Sequence, residues 1–143
     1  MGCLRILDEV DARGAVPARA WHVALDPEPS SAAAARRFVV ERLQPLDEET
    51  EGTLKLLTSE VVTNAILHAR TPLLLGVAQG PGRIVVCVED RNVARPEQQP
   101  YSRERTARRA IVFLEALADL WGIVSEERGT AVWFTIRLTA GSP

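Results

Sequence analysis

Cysteine and histidine are scarce in this sequence, with only two of each among 143 residues. Cys3 lies near the N-terminus and Cys87 lies in an apolar run. We therefore expect Cys87 to be a small buried hydrophobic residue rather than half of a disulfide. The histidines, His22 and His68, are well separated from each other. This spacing argues against a zinc site, which needs several such ligands close together.

Long apolar runs are also absent. The longest, residues 72–78, is much shorter than the ~20 residues needed to span a bilayer. The first ten residues lack a basic region followed by an apolar one, which argues against a secretory signal. The net charge of −2 provides no general attraction to nucleic acid or to an anionic membrane. We expect a cytoplasmic protein that binds neither a membrane nor nucleic acid directly.

The overall composition is that of a soluble globule, with 46% hydrophobic and 25% charged residues. The length predicts one domain with a core of its own. Residues 1–18 mix glycine, proline and charge without a hydrophobic period, which predicts a flexible leader. The predicted domain covers residues 19–139.

The hydrophobic pattern predicts a strand, two helices, a hairpin of strands, a long loop, a helix and a second hairpin. The predicted ranges are a strand at 20–25, a helix capped by Ser30 or Ser31, a helix from 47 to 69, strands at 73–78 and 83–89, a loop at 91–106, a helix carrying 110–120, and strands at 121–124 and 130–138. This order predicts an α+β fold, a two-layer sandwich with a mixed, mostly antiparallel sheet and three helices on one face.

The last predicted strand alternates along residues 130–138. Phe134 and Ile136 fall on one face and Trp133 on the other, which predicts a half-buried antiparallel strand. Trp121 and Trp133 could form a partner surface if both were exposed. We expect Trp121 to pack on the sheet, and the pattern leaves both interpretations open for Trp133.

Three polar residues are spaced four apart in the second predicted helix, namely Glu60, Asn64 and His68. Each step of four rotates by about 40°, so the three side chains line one flank of the helix. This flank lies beside a predicted core-facing apolar stripe, which consists of Leu54, Leu57, Val61 and Ala65. A carboxylate can orient or deprotonate a nucleophile, and an amide oxygen can ligate Mg²⁺. A helix whose polar flank is only solvated has the same spacing, so the pattern alone leaves a pocket and a plain surface open.

Asp90 directly follows the apolar strand that contains Cys87. Its carboxylate could accept a hydrogen bond from a ligand amine. It could equally bond the backbone of its own loop and end the strand. The residue alone does not decide between these roles.

Four segments together resemble motifs of the GHKL ATPases, which have the histidine-kinase-like, or Bergerat, ATP-binding fold. They are residues 59–65 with His68 and Ala69, residues 88–90 with Pro96, residues 115–122, and residues 129–134. The form is similar to that of bacterial anti-sigma-factor serine kinases, and the resemblance covers about residues 20–138 in the family's order.

The resemblance implies a binding site for ATP and Mg²⁺. Asn64 would hold the Mg²⁺ that bridges the phosphates, and Glu60 would act as general base or orient the attacking hydroxyl. Asp90 would accept a hydrogen bond from the adenine amino group, and Thr130 would support the same ring. His68 would help to shape the pocket.

The resemblance also implies a regulatory role in transcription. In the kinase members, a serine of an anti-sigma-factor antagonist protein is phosphorylated and the kinase then captures a sigma factor. A sigma factor or an antagonist protein is therefore the expected partner. Related kinases often pair through a sheet face or a helix, so a homodimer is a candidate state. A detached sensor-kinase domain is a weaker alternative, since we find no dimerisation helix or phospho-acceptor histidine segment.

The sequence departs from the family at the phosphate loop, where glycines normally precede the third helix. Here the segment is Arg108-Arg109-Ala110, which removes the close backbone approach that glycine permits. In one interpretation Arg103, Arg105, Arg108 and Arg109 contact the phosphates directly. In the other, the chain is a degenerate, nucleotide-free protein-interaction module. Activity as a serine/threonine kinase is left open.

Overall fold

The computed structural model describes residues 19–43, 45–91, 101–126 and 129–138. The predicted leader with Cys3 and the loop residue Pro96 lie outside these ranges. In chain order the elements are β1 (Arg19–Leu25), α1 (Ser30–Arg42), α2 (Glu48–Ala69), β2 (Leu73–Gln79), β3 (Arg83–Glu89), α3 (Tyr101–Leu117), β4 (Leu120–Glu126) and β5 (Gly129–Arg137). Within these ranges, no helix is both long and apolar enough to cross a membrane.

The five strands form one sheet in the order β1-β2-β3-β5-β4, and each neighbouring pair is antiparallel. The connection from β3 to β5 therefore passes through α3 and β4 before the chain returns to the centre of the sheet. This arrangement confirms the predicted α+β sandwich. It also brings the end of β3 beside the start of β5, where Glu89 is opposite Ala131.

The main core lies between the helices and one face of the sheet. The predicted apolar stripe of α2 is confirmed, because Leu54, Leu57, Val61 and Ala65 are all buried. Phe134 is fully buried in the same core. The central helix is thus fixed by its apolar face, and its polar flank keeps a defined orientation.

The second face of the sheet has a smaller core built from strand residues. Val85, Cys87 and Ala131 are buried there, with Trp133 packed against them. The antiparallel pairing of β5 and the burial of Phe134 and Ile136 agree with the prediction, but Ala131 and Thr135 on the opposite face are buried as well, so β5 is more than half-buried. The neighbouring strand β3 is also covered on both faces. The difference arises because the buried residues are small and the Trp133 indole packs beside them. Trp121 packs against the main core, as expected.

The first helix begins differently from the prediction that Ser30 or Ser31 caps it. Pro29 occupies the N-cap position, and among the described residues no side chain caps this helix. Instead, the Ser31 hydroxyl donates to the Asp26 carbonyl oxygen at 2.6 Å. The hydroxyl fixes the preceding turn because it is already inside the helix and points back along the chain.

Asp47 caps α2, with its Oδ1 accepting a hydrogen bond from the Thr50 amide at 2.7 Å. The bonds from Thr50 lower the pKa of Asp47 below its ordinary value of 3.8. Because the folded-state pKa of Asp47 is lowered, its ionised carboxylate stabilises the folded protein. This stabilisation is complete above the unfolded-state pKa and is lost as the pH falls through the folded-state pKa.

We therefore expect Asp47→Asn to lose less stability than the wild type when the pH is lowered from neutral to about 3. Asparagine keeps an oxygen acceptor at the N-cap but does not titrate. Urea unfolding at both pH values measures the difference. Equal losses in the two proteins would show that the Asp47 cap does not contribute to acid sensitivity.

Thr58 is fully buried in α2, and within the described residues its hydroxyl has no hydrogen-bonding partner. Thr58→Val replaces this hydroxyl with a methyl group of similar shape, so we expect the free energy of unfolding to rise by about 1 kcal/mol. Thr63→Val, at an exposed position of the same helix, is the matched control and should change it by less than about 0.5 kcal/mol. A less stable Thr58→Val variant would reveal a hydrogen bond at this hydroxyl.

Candidate functional site

The polar flank of α2 carries the three predicted side chains Glu60, Asn64 and His68, and all three are half-buried. Eight residues at 1.5 Å per residue separate the first from the last, so the flank is about 12 Å long. It ends where Arg70 adopts a left-handed conformation with φ of 57° and turns the chain away from the helix. The fold therefore presents these side chains in a row.

Glu60 forms a two-point ion pair with Arg109 across the α2–α3 interface. The Arg109 Nε lies 3.0 Å from Glu60 Oε1, and the Arg109 Nη2 donates to Glu60 Oε2 at 3.1 Å. The Glu60 side chain is only 13% exposed, whereas that of Arg109 is 66% exposed. One side of the guanidinium is thus fixed to α2, while much of it remains accessible to solvent.

Arg109 is also oriented by its own helix. Its guanidinium carbon lies 5.9 Å from the centre of the Phe113 ring, one helical turn further along α3. This separation is within the range of a cation–π interaction. Glu60 and Arg109 were predicted to have separate roles, and the structure brings their side chains together.

The arginine segment is helical rather than a loop. Because α3 begins at Tyr101, the prediction of a loop through residue 106 is wrong, and Arg108 and Arg109 lie well inside the helix. Amides in a helix interior are bonded within the helix and cannot cradle a phosphate as a glycine loop does. Any phosphate contact here must therefore come from side chains. Those of Arg103 and Arg105 lie outside the described residues.

Asp90 lies at the other end of the site and is only 5% exposed. Its amide donates to the Thr130 carbonyl at 2.9 Å, and the Thr130 amide donates to Asp90 Oδ1 at 3.4 Å. The carboxylate therefore accepts a hydrogen bond from the backbone of β5. Gly129 allows this contact, because its backbone passes directly against that of Asp90 and Arg91.

A further hydrogen bond relates this end of the site to α2. The Arg91 amide donates to the Thr71 hydroxyl at 3.2 Å, two residues after the helix ends. Asp90 and Thr130 therefore lie at the His68 end of the helix, and Arg109 lies at the Glu60 end. The structure brings Glu60 into contact with Arg109 and Asp90 into contact with Thr130. Asn64 and His68 lie on the same flank of α2 as Glu60, and the side chains of Arg108 and Arg109 are both exposed.

Arg36 is a neighbour of the site that was not predicted from the sequence. Its Nη1 donates to the Ser59 hydroxyl at 2.6 Å and joins α1 to α2 beside Glu60. The two residues are 23 apart in the chain, and neither stands out in the hydrophobic pattern. Only the packing of the two helices reveals the contact.

The oxygen atoms of the site suit a magnesium ion that is bound partly by the protein and partly by phosphate oxygens. In the described part of the chain, no group of three or more His, Cys, Asp or Glu side chains could hold a metal. Mg²⁺ commonly takes one or two protein oxygens and completes its shell with phosphate oxygens and water. The Asn64 side-chain oxygen, on the half-buried flank, fits that pattern.

The family model of the histidine kinase-like ATPase domain matches residues 25–136, which is more than half of the chain. The match includes both ends of the site, from Glu60 on α2 to Thr130 on β5. No curated protein matches the sequence. This chain belongs to the histidine kinase-like ATPase domain family.

Proposed function

We propose that the protein is an ATP-binding regulatory protein, with the nucleotide lying along the polar flank of α2. The observation that supports this most strongly is the separation of two chemically different ends by about 12 Å of half-buried helix. Asp90 and Thr130 would hold the adenine at one end. Arg109 would face the phosphates at the other, with Asn64 supplying an oxygen to Mg²⁺ between them. The length matches that of an extended nucleoside triphosphate.

Calorimetric titration with ATP and Mg²⁺ tests this function. We expect saturable binding below millimolar ATP and weaker binding of GTP. The preference follows from Asp90, since a carboxylate accepts a hydrogen bond from the adenine amino group but faces the carbonyl of guanine unfavourably. Absence of both heat and a thermal shift at millimolar ATP would reject the proposal.

The finer proposal is that the protein controls transcription as anti-sigma-factor kinases do, by binding a sigma factor or its antagonist protein. The support is the resemblance of the four segments around Glu60, Asp90, Glu115 and Gly129 to those of the kinases. Binding assays between this chain and purified sigma factors and antagonist proteins, with and without ATP, test it. We expect one such protein to bind with an affinity that depends on ATP; equal affinity in both conditions would contradict the regulatory role.

A nucleotide-free interaction module is the second candidate. Two observations favour it: α3 is helical at the position of the phosphate loop, and both Glu60 oxygens are bonded to Arg109. This candidate predicts that protein partners bind without any effect of ATP. The same titration separates it from the first proposal.

A further inference from the structure

We propose that Arg109, held in place by Glu60, is the ligand for the terminal phosphate of the nucleotide. This inference rests on the proposed function, and it gives Glu60 a positioning role. The charged side chain would replace the backbone donors that a glycine loop supplies.

Arg109 has more hydrogen-bond donors than its contact with Glu60 uses. A guanidinium has five N–H donors in one plane. Glu60 takes the Nε donor and one Nη2 donor, which leaves the two donors of Nη1 and the second donor of Nη2. The remaining donors match two oxygens of a phosphate, so Arg109 can bind the phosphate without leaving Glu60.

The exposures of the two partners fit this arrangement. Glu60 is 13% exposed and lies on the central helix, so it provides a fixed anchor. Arg109 is 66% exposed, so a ligand can reach the side of the guanidinium that faces away from Glu60. Phe113 adds a second support one turn along α3. A guanidinium held on one side loses less conformational freedom when a ligand binds to the other.

The ion pair also determines how Glu60 affects an anionic ligand. A lone carboxylate at this position would repel the phosphates, but Arg109 neutralises it. Both Glu60 oxygens lie against the Arg109 guanidinium, so the proposal assigns this carboxylate to positioning Arg109 rather than to deprotonating a hydroxyl. The carboxylate therefore promotes phosphate binding indirectly, through the orientation of Arg109.

The test compares the affinities of ATP and adenosine in the wild type, Glu60→Gln, Arg109→Ala and the double variant. We expect each single substitution to weaken ATP binding about tenfold or more, because charge-assisted hydrogen bonds to phosphate are lost or misdirected. Adenosine affinity should not change, since it has no phosphate. The double variant should bind ATP no more weakly than Arg109→Ala, because Glu60 acts through Arg109.

Arg137→Ala is the control for net charge. Arg137 is 71% exposed and pairs with Asp119, at the opposite end of β5 from Thr130. Arg137→Ala changes the net charge by the same amount as Arg109→Ala. When the proteins are compared at the same ionic strength, we expect its ATP affinity to stay within about twofold of the wild type. A similar loss in both variants would show a general charge effect and overturn the proposal.

The other outcomes are distinct. Tighter ATP binding by Glu60→Gln would mean that Glu60 acts as a repelling carboxylate, and the proposal fails. Unchanged ATP affinity in Arg109→Ala, even with a lower Tm, would mean that the pair only joins α2 to α3; the proposal then fails and the proposed function stands.

If the wild type binds neither ATP nor adenosine, the proposed function fails. In that case, tripolyphosphate tests the phosphate site alone. A rise in Tm that is lost in Arg109→Ala would support the phosphate site, and no rise in Tm of the wild type would reject it.

Discussion

Gly129→Ala is expected to lower the free energy of unfolding by about 3 kcal/mol or more. Gly129 has φ of 146°, a conformation that is essentially restricted to glycine. A Cβ at this position would meet the Asp90 carbonyl oxygen and would lie 2.7 Å from the Arg91 Cα. Both contacts are with backbone, so β5 must move away from the end of β3 to relieve them.

Urea unfolding of Gly129→Ala beside Gly52→Ala provides the measurement and its control. Gly52 lies in α2, where a Cβ meets nothing within 4 Å. The same chemical change should therefore raise stability there by about 0.5–1 kcal/mol, because alanine favours the helix. If Gly129→Ala unfolds at the wild-type urea concentration, the close contact between Gly129 and Asp90 is wrong.

Asn64→Ala is expected to weaken Mg²⁺-dependent ATP binding about a hundredfold, since it removes the protein oxygen proposed for the metal. Calorimetry in the presence of Mg²⁺ and again in excess chelator measures the effect, which should appear only with the metal present. Asn64 lies between Glu60 and His68 on the half-buried flank, where the metal could contact both the helix and the phosphates.

Thr63→Ala is the matched control for Asn64→Ala. Thr63 is its neighbour in sequence but is exposed, so its removal should leave ATP affinity unchanged. An Asn64→Ala variant that binds ATP and Mg²⁺ as tightly as the wild type would show that Asn64 is not the metal ligand.

Much of the fold could be predicted because hydrophobic periodicity is a local signal. Leu54, Leu57 and Val61 marked the buried face of α2, and the flank with Glu60 and Asn64 followed from the same helical geometry. The hairpin between β2 and β3 was evident from its glycines and proline. These predictions needed no knowledge of which elements pack together.

Boundaries and burial that depend on packing could not be predicted in the same way. Residues 101–106 are almost entirely polar, so no apolar stripe marked the first turns of α3. The burial of Val85 and Cys87 on the second face depends on which side chains surround them. Local pattern does not contain that information.

The contacts of the candidate site could not be predicted from the sequence either. Glu60 and Arg109 are 49 residues apart, and Asp90 and Thr130 are 40 apart. The sequence identified all four residues, and the resemblance placed Asp90 and Thr130 at the same adenine ring, but nothing in the sequence paired Glu60 with Arg109. The pairing is the observation from which we propose that Glu60 positions Arg109, whereas the resemblance implies that it acts as a base or orients the attacking hydroxyl.

The central claim is that one nucleotide lies along α2 and contacts both ends of the site. Backbone amide NMR spectra recorded during a titration with ATP and Mg²⁺ test it most directly. We predict that the largest shifts occur at Asn64, Asp90, Arg109 and Thr130 in the same transition. Shifts at only one end of α2, shifts confined to the outer strands β1 and β4, or no shifts at millimolar ATP would contradict the claim.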